Sequence, residues 1–167
     1  MEPLVWYVSY GSNLRLARFT VYIKGGSFEG AGPYAGAKNK TMPTKNEPFS
    51  IPFSIFFMKR SITWGGGGVA FLDVSKPGFA YGRAYLITKE QFDDVRMQEG
   101  CYYYPDEINL GEYKGYPAMT FTDKHKQKRM LPSEAYLNVI KSGIRETYPQ
   151  LSEETITKYL ADALDYK

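Results

Sequence analysis

The run Leu4-Val5-Trp6-Tyr7-Val8, broken off by Ser9-Tyr10-Gly11-Ser12-Asn13, constrains this chain more than any other stretch. An apolar, aromatic and β-branched run of this length reads as a buried strand. Gly11 is free of Cβ sterics, and Ser12 and Asn13 hydrogen-bond locally, so all three suit a tight turn. Leu14 to Phe19 follows as one or two helical turns, in a short helix reaching about Tyr22. A strand feeding such a turn and a helix start aims several free N–H groups at one point. That geometry binds a carboxylate or a phosphate. The same composition also serves a turn that binds nothing.

Composition narrows the classes. A chain of 167 residues suits one domain, 1–167, with one sizeable core. Aromatic residues make up 16%, mostly 15 Tyr and 10 Phe, which suggests half-buried surfaces and a pocket edged by polar tips. The net charge of +3 comes from basic residues spread along the chain, apart from Lys124 to Arg129, and does not call for a nucleic-acid partner. The single Cys, Cys101, excludes an internal disulfide and a Cys-based metal cluster and fits a reducing compartment. No apolar run approaches the roughly 18 residues that a membrane span needs. The opening Met-Glu-Pro-Leu has neither a basic region nor an apolar core. The expectation is a soluble cytoplasmic protein without a membrane partner.

Along the chain, 25–48 is rich in Gly, Pro, Lys, Asn and Thr and lacks periodicity. It reads as a long loop insertion, a lid over a pocket or a mobile surface segment. Phe49, Ile51, Phe53, Ile55 and Phe57 alternate and predict one strand, with Pro52 marking an edge or bulge at its start. Gly65 to Gly68 could cradle a phosphate, but no Gly-Lys-Ser/Thr follows, and a close backbone approach or a bend fits better. Val69 to Val74 and Phe79 to Ile87 read as strands. Ala80, Gly82 and Ala84 give the second a small face against which something packs closely.

Thr88 and Gln91 have the spacing of a capping box, and Gly100 is a natural helix stop, so a helix ends at Glu99. A carboxylate at the negative end of a helix is disfavoured, and partial burial would raise its pKa further. A carboxylate so tuned can act as a general base. A solvated Glu at a frayed helix end has the same sequence. Tyr102, Tyr103 and Tyr104 follow in what reads as a strand, with Tyr102 and Tyr104 on one face. Glu107 to Thr122 reads as a hairpin turning at Lys114-Gly115. Ser133 caps a helix over 134–142 that Gly143 ends, and Ser152 caps a last helix with a stripe of Ile156, Tyr159, Leu160, Ala163 and Leu164. A cysteine hydrolase built on Cys101 and His125 is conceivable, but nothing in the sequence brings the two together.

Several marks coincide in order: Tyr10-Gly11-Ser12-Asn13-Leu14 after the first strand, Trp64-Gly65-Gly66, Gly82-Arg83-Ala84-Tyr85, Gln98-Glu99-Gly100 closing a helix, and Pro132-Ser133 with Tyr136. Along nearly its whole length the chain resembles the γ-glutamylcyclotransferase family. The resemblance implies an α+β fold: a small, curved or barrel-like mixed sheet with flanking helices. It implies that Tyr10 to Leu14 hold the carboxylate end of a γ-glutamyl substrate and that Glu99 is the general acid/base. Tyr136, and Tyr103 or Tyr104, match the pocket tyrosines. The implied reaction closes the γ-glutamyl group to 5-oxoproline and releases an amine or amino acid, with no metal, cofactor or nucleic acid. A non-catalytic binding protein of the same fold and a homodimer are both compatible with the sequence. The 25–48 stretch and the long Gly run match no part of the family pattern.

Overall fold

The N-terminal strand β1 (Leu4–Ser9) runs through the middle of a five-stranded sheet in the computed structural model, which describes residues 2–167. On one side β1 pairs antiparallel with β7 (Ala80–Thr88), which carries the edge strand β4 (Asn46–Ile51). On the other it pairs parallel with β9 (Tyr116–Thr122), whose hairpin partner β8 (Asp106–Tyr113) forms the opposite edge. Flanked on both sides, β1 is buried from Val5 to Ser9, and its continuous apolar run follows from that position. Gly82 of β7 faces Val8 and Ile51, where a Cβ would come within 3.0 Å of both side chains.

Two smaller ribbons complete the β structure. The first joins β2 (Gly26–Phe28) to β3 (Ala31–Tyr34), and the second joins β5 (Ser54–Arg60) to β6 (Gly68–Asp73). Thr122 at the end of β9 hangs the second ribbon on the main sheet, its hydroxyl accepting from Leu72 N at 2.9 Å and donating to Leu72 O at 3.1 Å. The mixed sheet and flanking helices are those of the expected α+β fold. The main sheet is open, with β4 and β8 as its edges.

Four helices surround the strands: α1 (Leu16–Lys24), α2 (Lys89–Glu99), α3 (Glu134–Thr147) and α4 (Glu153–Leu164). The capping box at Thr88 and Gln91 is formed on both sides, and Gly100 closes α2 at φ +97°. Ser133 and Ser152 cap α3 and α4, and Ile156, Leu160 and Ala163 of the predicted stripe are buried. No helix among the described residues is long and apolar enough to cross a membrane.

Four readings of local structure change. The strand expected across Phe49 to Met58 is two strands in different sheets, broken at Pro52-Phe53, because proline lacks the N–H needed to continue the β4 ladder. The 25–48 stretch is not loop throughout: it holds the β2–β3 hairpin and the start of β4. Between them, residues 35–45 lie as a strap across α2. Gly36 N donates to Gln98 Oε1 and Lys38 N to Asp94 Oδ2, both at 2.9 Å, while Gln91 Nε2 donates to the carbonyls of Asn39 and Thr41. Tyr102 to Tyr104 form a turn, in which the Gly100 carbonyl accepts from both Tyr103 N and Tyr104 N. Finally, α3 runs through Gly143 to Thr147. That glycine answers a close approach: a Cβ there would lie 2.4 Å from Leu14 Cβ and 2.5 Å from Arg15 N.

The glycine run is a second close approach. A Cβ on Gly67 would lie 2.4 Å from Ser133 N, and one on Gly68 2.1 Å from the Met130 carbonyl. The backbone of 130–133 therefore threads beside β6, with Gly68 N donating to Leu131 O and Met130 N to Phe57 O.

Candidate active site

Where β1 ends, the chain makes a single 3-10 turn, Ser12–Leu14, before α1 begins. Leu14 N and Arg15 N return to the carbonyls of Gly11 and Ser12, which fixes the turn. The N–H groups of Ser12 and Asn13 open the turn and have no partner within it. Ser12 and Asn13 border a cavity of about 280 Å³ that also receives the end of α2, the Tyr103 turn and residues 61–64. That volume is at the small end for a ligand site and matches a compact metabolite.

Of the residues singled out from the sequence, Tyr10, Gly11, Ser12, Asn13, Glu99, Tyr103, Tyr104 and Tyr136 all line this cavity. Leu14 does not. It is fully buried, with its side chain against Gly143 of α3 and its carbonyl accepting from Arg83 Nη1 at 2.9 Å. Its role is to seat the turn. Tyr103 and Tyr104 both reach the cavity, because the chain turns there rather than extending, while Tyr102 is 93% exposed. Cys101 and His125 lie outside the lining, and both are exposed.

Glu99 sits at the last residue of α2, half-buried and open to the cavity. Burial raises its pKa above the ordinary carboxylate value. The Arg18 guanidinium, the Tyr22 hydroxyl and the Asn13 amide oppose that rise without cancelling it. The Asn13 side chain donates from Nδ2 to Glu99 Oε1 at 2.9 Å and to the Tyr7 hydroxyl at 3.0 Å. The ionised Glu99 carboxylate only accepts, so the amide turns its NH2 end toward it. This leaves Asn13 Oδ1 buried and without a partner.

Most of the tyrosines are committed to structure. Tyr10 donates to Phe121 O at 2.6 Å, and Tyr104 to Ala70 O at 3.3 Å, while Tyr136 accepts from Ala70 N at 3.0 Å. The Tyr103 hydroxyl donates to Arg60 O. Burial raises the pKa of Tyr7, Tyr10, Tyr104 and Tyr136, so these phenols stay neutral across the physiological range. They supply shape and an apolar wall with fixed hydroxyls. Lys59, at φ +60° in a β-bulge of β5, holds the Tyr103 turn from behind, donating to Tyr103 O at 2.7 Å and pairing with Asp123 at 2.7 Å.

Sequence reasoning missed Arg18, Tyr7, Tyr22, Tyr34 and Gln98, all of which face the cavity. Arg18 is 2% exposed. It donates from Nη2 to the hydroxyls of Tyr22 at 2.7 Å and Tyr34 at 3.0 Å, and lies over the rings of Tyr22, Tyr34 and Trp64. Its spacing of four from Tyr22 puts the two on one helix face, a signal present in the sequence. That the same face meets Tyr34 and Trp64 is a tertiary fact.

No protein-family model matches the chain. It is 28% identical to histone deacetylase 5 of Arabidopsis thaliana over 96% of its own length, and spans 31% of that protein's length. A crystal structure of an uncharacterized human protein superposes with a TM-score of 0.65 at 21% identity, covering 99% of this chain and 92% of the other. A structure of γ-glutamyl cyclotransferase superposes with a TM-score of 0.64 at 21% identity, covering 98% of this chain and 91% of the other. The chain has the γ-glutamyl cyclotransferase fold.

Proposed function

We propose that the protein is a γ-glutamylcyclotransferase-like enzyme with Glu99 as its general acid/base. The observation that carries this reading is the Glu99 carboxylate itself: half-buried, raised in pKa by burial, hydrogen-bonded to Asn13 of the Ser12–Leu14 turn, and open to a small cavity. The substrate is a small γ-glutamyl compound. Its α-ammonium loses a proton to Glu99, because only the free amine can attack. The amine adds to the side-chain carbonyl and closes a five-membered ring. Glu99 then returns the proton to the departing nitrogen, which could not leave as an amide anion, and the ring nitrogen sheds its second proton through Glu99 to the freed amine, which departs as an ammonium ion. The products are 5-oxoproline and an amine or amino acid. The turn N–H groups of Ser12 and Asn13 bind the anionic end and hold the reacting atoms in line. Ring closure needs only these proton transfers, so the proposal invokes no metal or cofactor.

The test is release of 5-oxoproline, read by mass spectrometry, from a pool of γ-glutamyl amino acids and γ-glutamyl amines. Glu99→Gln keeps size and hydrogen bonding but removes the base. It should lower the rate by roughly two to four orders of magnitude. No product from any member of the pool, or full activity in the variant, overturns the assignment. Tight binding without turnover would move the chain to a binding protein of the same fold.

A further inference from the structure

Arg83 and Tyr85 alternate on β7, so they share one face of the sheet, and neither lines the cavity. Both reach the turn after β1. The turn's own hydrogen bonds use the carbonyls of Gly11 and Ser12, so those of Asn13 and Leu14 need partners from outside it. The Tyr85 hydroxyl donates to Asn13 O at 2.8 Å, and Arg83 Nη1 donates to Leu14 O at 2.9 Å. Each donor is itself held. The Tyr85 ring stacks on Phe19 with centroids 3.9 Å apart, and burial raises its pKa, so the phenol keeps its proton. Arg83 Nε donates to Asn46 Oδ1 at 3.0 Å, and Nη1 also pairs with Glu146 Oε1 of α3 at 2.9 Å. The same Glu146 oxygen accepts from Leu16 N at 3.0 Å. Helix α1 has no side-chain cap of its own and no acid in its first turn. Glu146 supplies both from another helix, and an anion there suits the helix dipole. One ion pair therefore clamps the chain on both sides of Arg15: Arg83 takes the carbonyl before it and Glu146 the N–H after it.

We infer that Tyr85 and Arg83 are positioning residues that hold Asn13 in place against Glu99. The inference rests on the cyclotransferase reading only for the role of Glu99. The route is continuous. Tyr85 pins the main chain of Asn13, Arg83 pins the next peptide unit, and the Asn13 amide donates to Glu99 Oε1 at 2.9 Å. With two consecutive peptide units fixed, Asn13 cannot swing its amide away from the carboxylate. A general base needs that constancy, because a misplacement of about 1 Å can cost roughly 100-fold in rate. Glu99 also faces Arg18 and Tyr22 of α1, and its charge reaches the phenols of Tyr7, Tyr10, Tyr104 and Tyr136. Of the groups that touch the carboxylate, Asn13 is the one that β7 grips.

The experiment titrates Glu99 by NMR of its carboxyl carbon in labelled protein without substrate, the resonance being the one that Glu99→Gln removes. The proteins are the wild type, Tyr85→Phe, Arg83→Met and Arg83→Lys, each also in an Asn13→Ala background. The Asn13 donor lowers the Glu99 pKa, so loosening Asn13 should raise it. Tyr85→Phe and Arg83→Met should each move it upward by roughly 0.3 to 1, and Arg83→Lys should move it less than Arg83→Met. In the Asn13→Ala background none of the three should move it further, because the route is gone. That comparison isolates Asn13 from the other groups around Glu99. A titration that Tyr85→Phe leaves in place, or that shifts by the same amount with and without Asn13→Ala, overturns the inference and leaves both residues as supports of the sheet alone. If Arg83→Met fails to fold, Tyr85→Phe decides, since it removes one oxygen from a stacked ring. The titration needs no turnover. A failed cyclisation assay would therefore leave the positioning role standing, and an unmoved titration would leave the Glu99 chemistry standing.

Discussion

The Asn13 amide nitrogen lies 2.9 Å from Glu99 Oε1 and 3.0 Å from the Tyr7 hydroxyl. One side chain therefore ties the turn after β1 to the last residue of α2. It also tunes the carboxylate, because a donor to the charged form lowers the pKa that burial raises.

Asn13→Ala removes that donor. The pKa governing the acid limb of kcat/KM should move upward, and the plateau should fall by about 10- to 100-fold, the usual cost of a hydrogen bond to a charged group. A pH–rate profile reads both. An acid limb that stays in place would show that Asn13 does not tune Glu99.

Glu99 also makes stability depend on pH. Its pKa is higher in the folded chain than in the unfolded one, so between those two values the folded state binds more protons. Its stabilising effect is complete below the unfolded pKa and is lost as pH rises through the folded one. At neutral pH, Glu99→Gln should therefore melt above the wild type, with the difference closing as pH falls below the ordinary glutamate range. Thermal melts of both proteins from pH 4 to pH 8 check the sign.

Gly143→Ala sets two effects against each other. In an exposed helix interior the change would stabilise by about 1 kcal/mol. Here the new Cβ would lie 2.4 Å from Leu14 Cβ and 2.5 Å from Arg15 N, and overpacking costs about 1–3 kcal/mol. Net destabilisation is expected, and activity should fall with it, since the displaced segment is the turn beside Asn13. Denaturant midpoints and turnover, measured together, test the coupling.

Gly11→Ala would bring a Cβ 2.9 Å from the Tyr136 hydroxyl, which Ala70 N holds in place. Activity should drop. Tyr136→Phe removes the oxygen that collides, so the double variant Gly11→Ala/Tyr136→Phe should recover part of the loss. A double-mutant cycle on kcat/KM measures that recovery.

The parts legible in the sequence are those fixed by local rules. β1 declared itself by its apolar run, α2 by Thr88, Gln91 and Gly100, and α3 and α4 by their capping serines. The helix end at Glu99 and the turn after Tyr10 were legible the same way, while the roles expected of them came from the family resemblance. What was missed depends on contacts between distant segments. Gly143 has the look of a helix stop and serves as a gap for Leu14 and Arg15. The alternation through Phe49 to Phe57 concealed a change of sheet, since both halves keep an apolar face. Arg18 reads as an ordinary surface arginine on a short amphipathic helix. Only the arrival of Tyr34 and Trp64 turns it into a buried cation.

The placement of β1 also sets an order on assembly during translation. Tyr10 finds its acceptor at Phe121, 111 residues further on, and the parallel neighbour of β1 belongs to the same late hairpin. At about 5–20 residues per second, a ribosome needs roughly 6–20 s to supply that partner. Until then the apolar Leu4 to Val8 segment has one flank uncovered and is a natural client for a chaperone. Glu99 emerges within the same interval, so the carboxylate and the turn that holds it are both synthesised before the hairpin that closes the sheet.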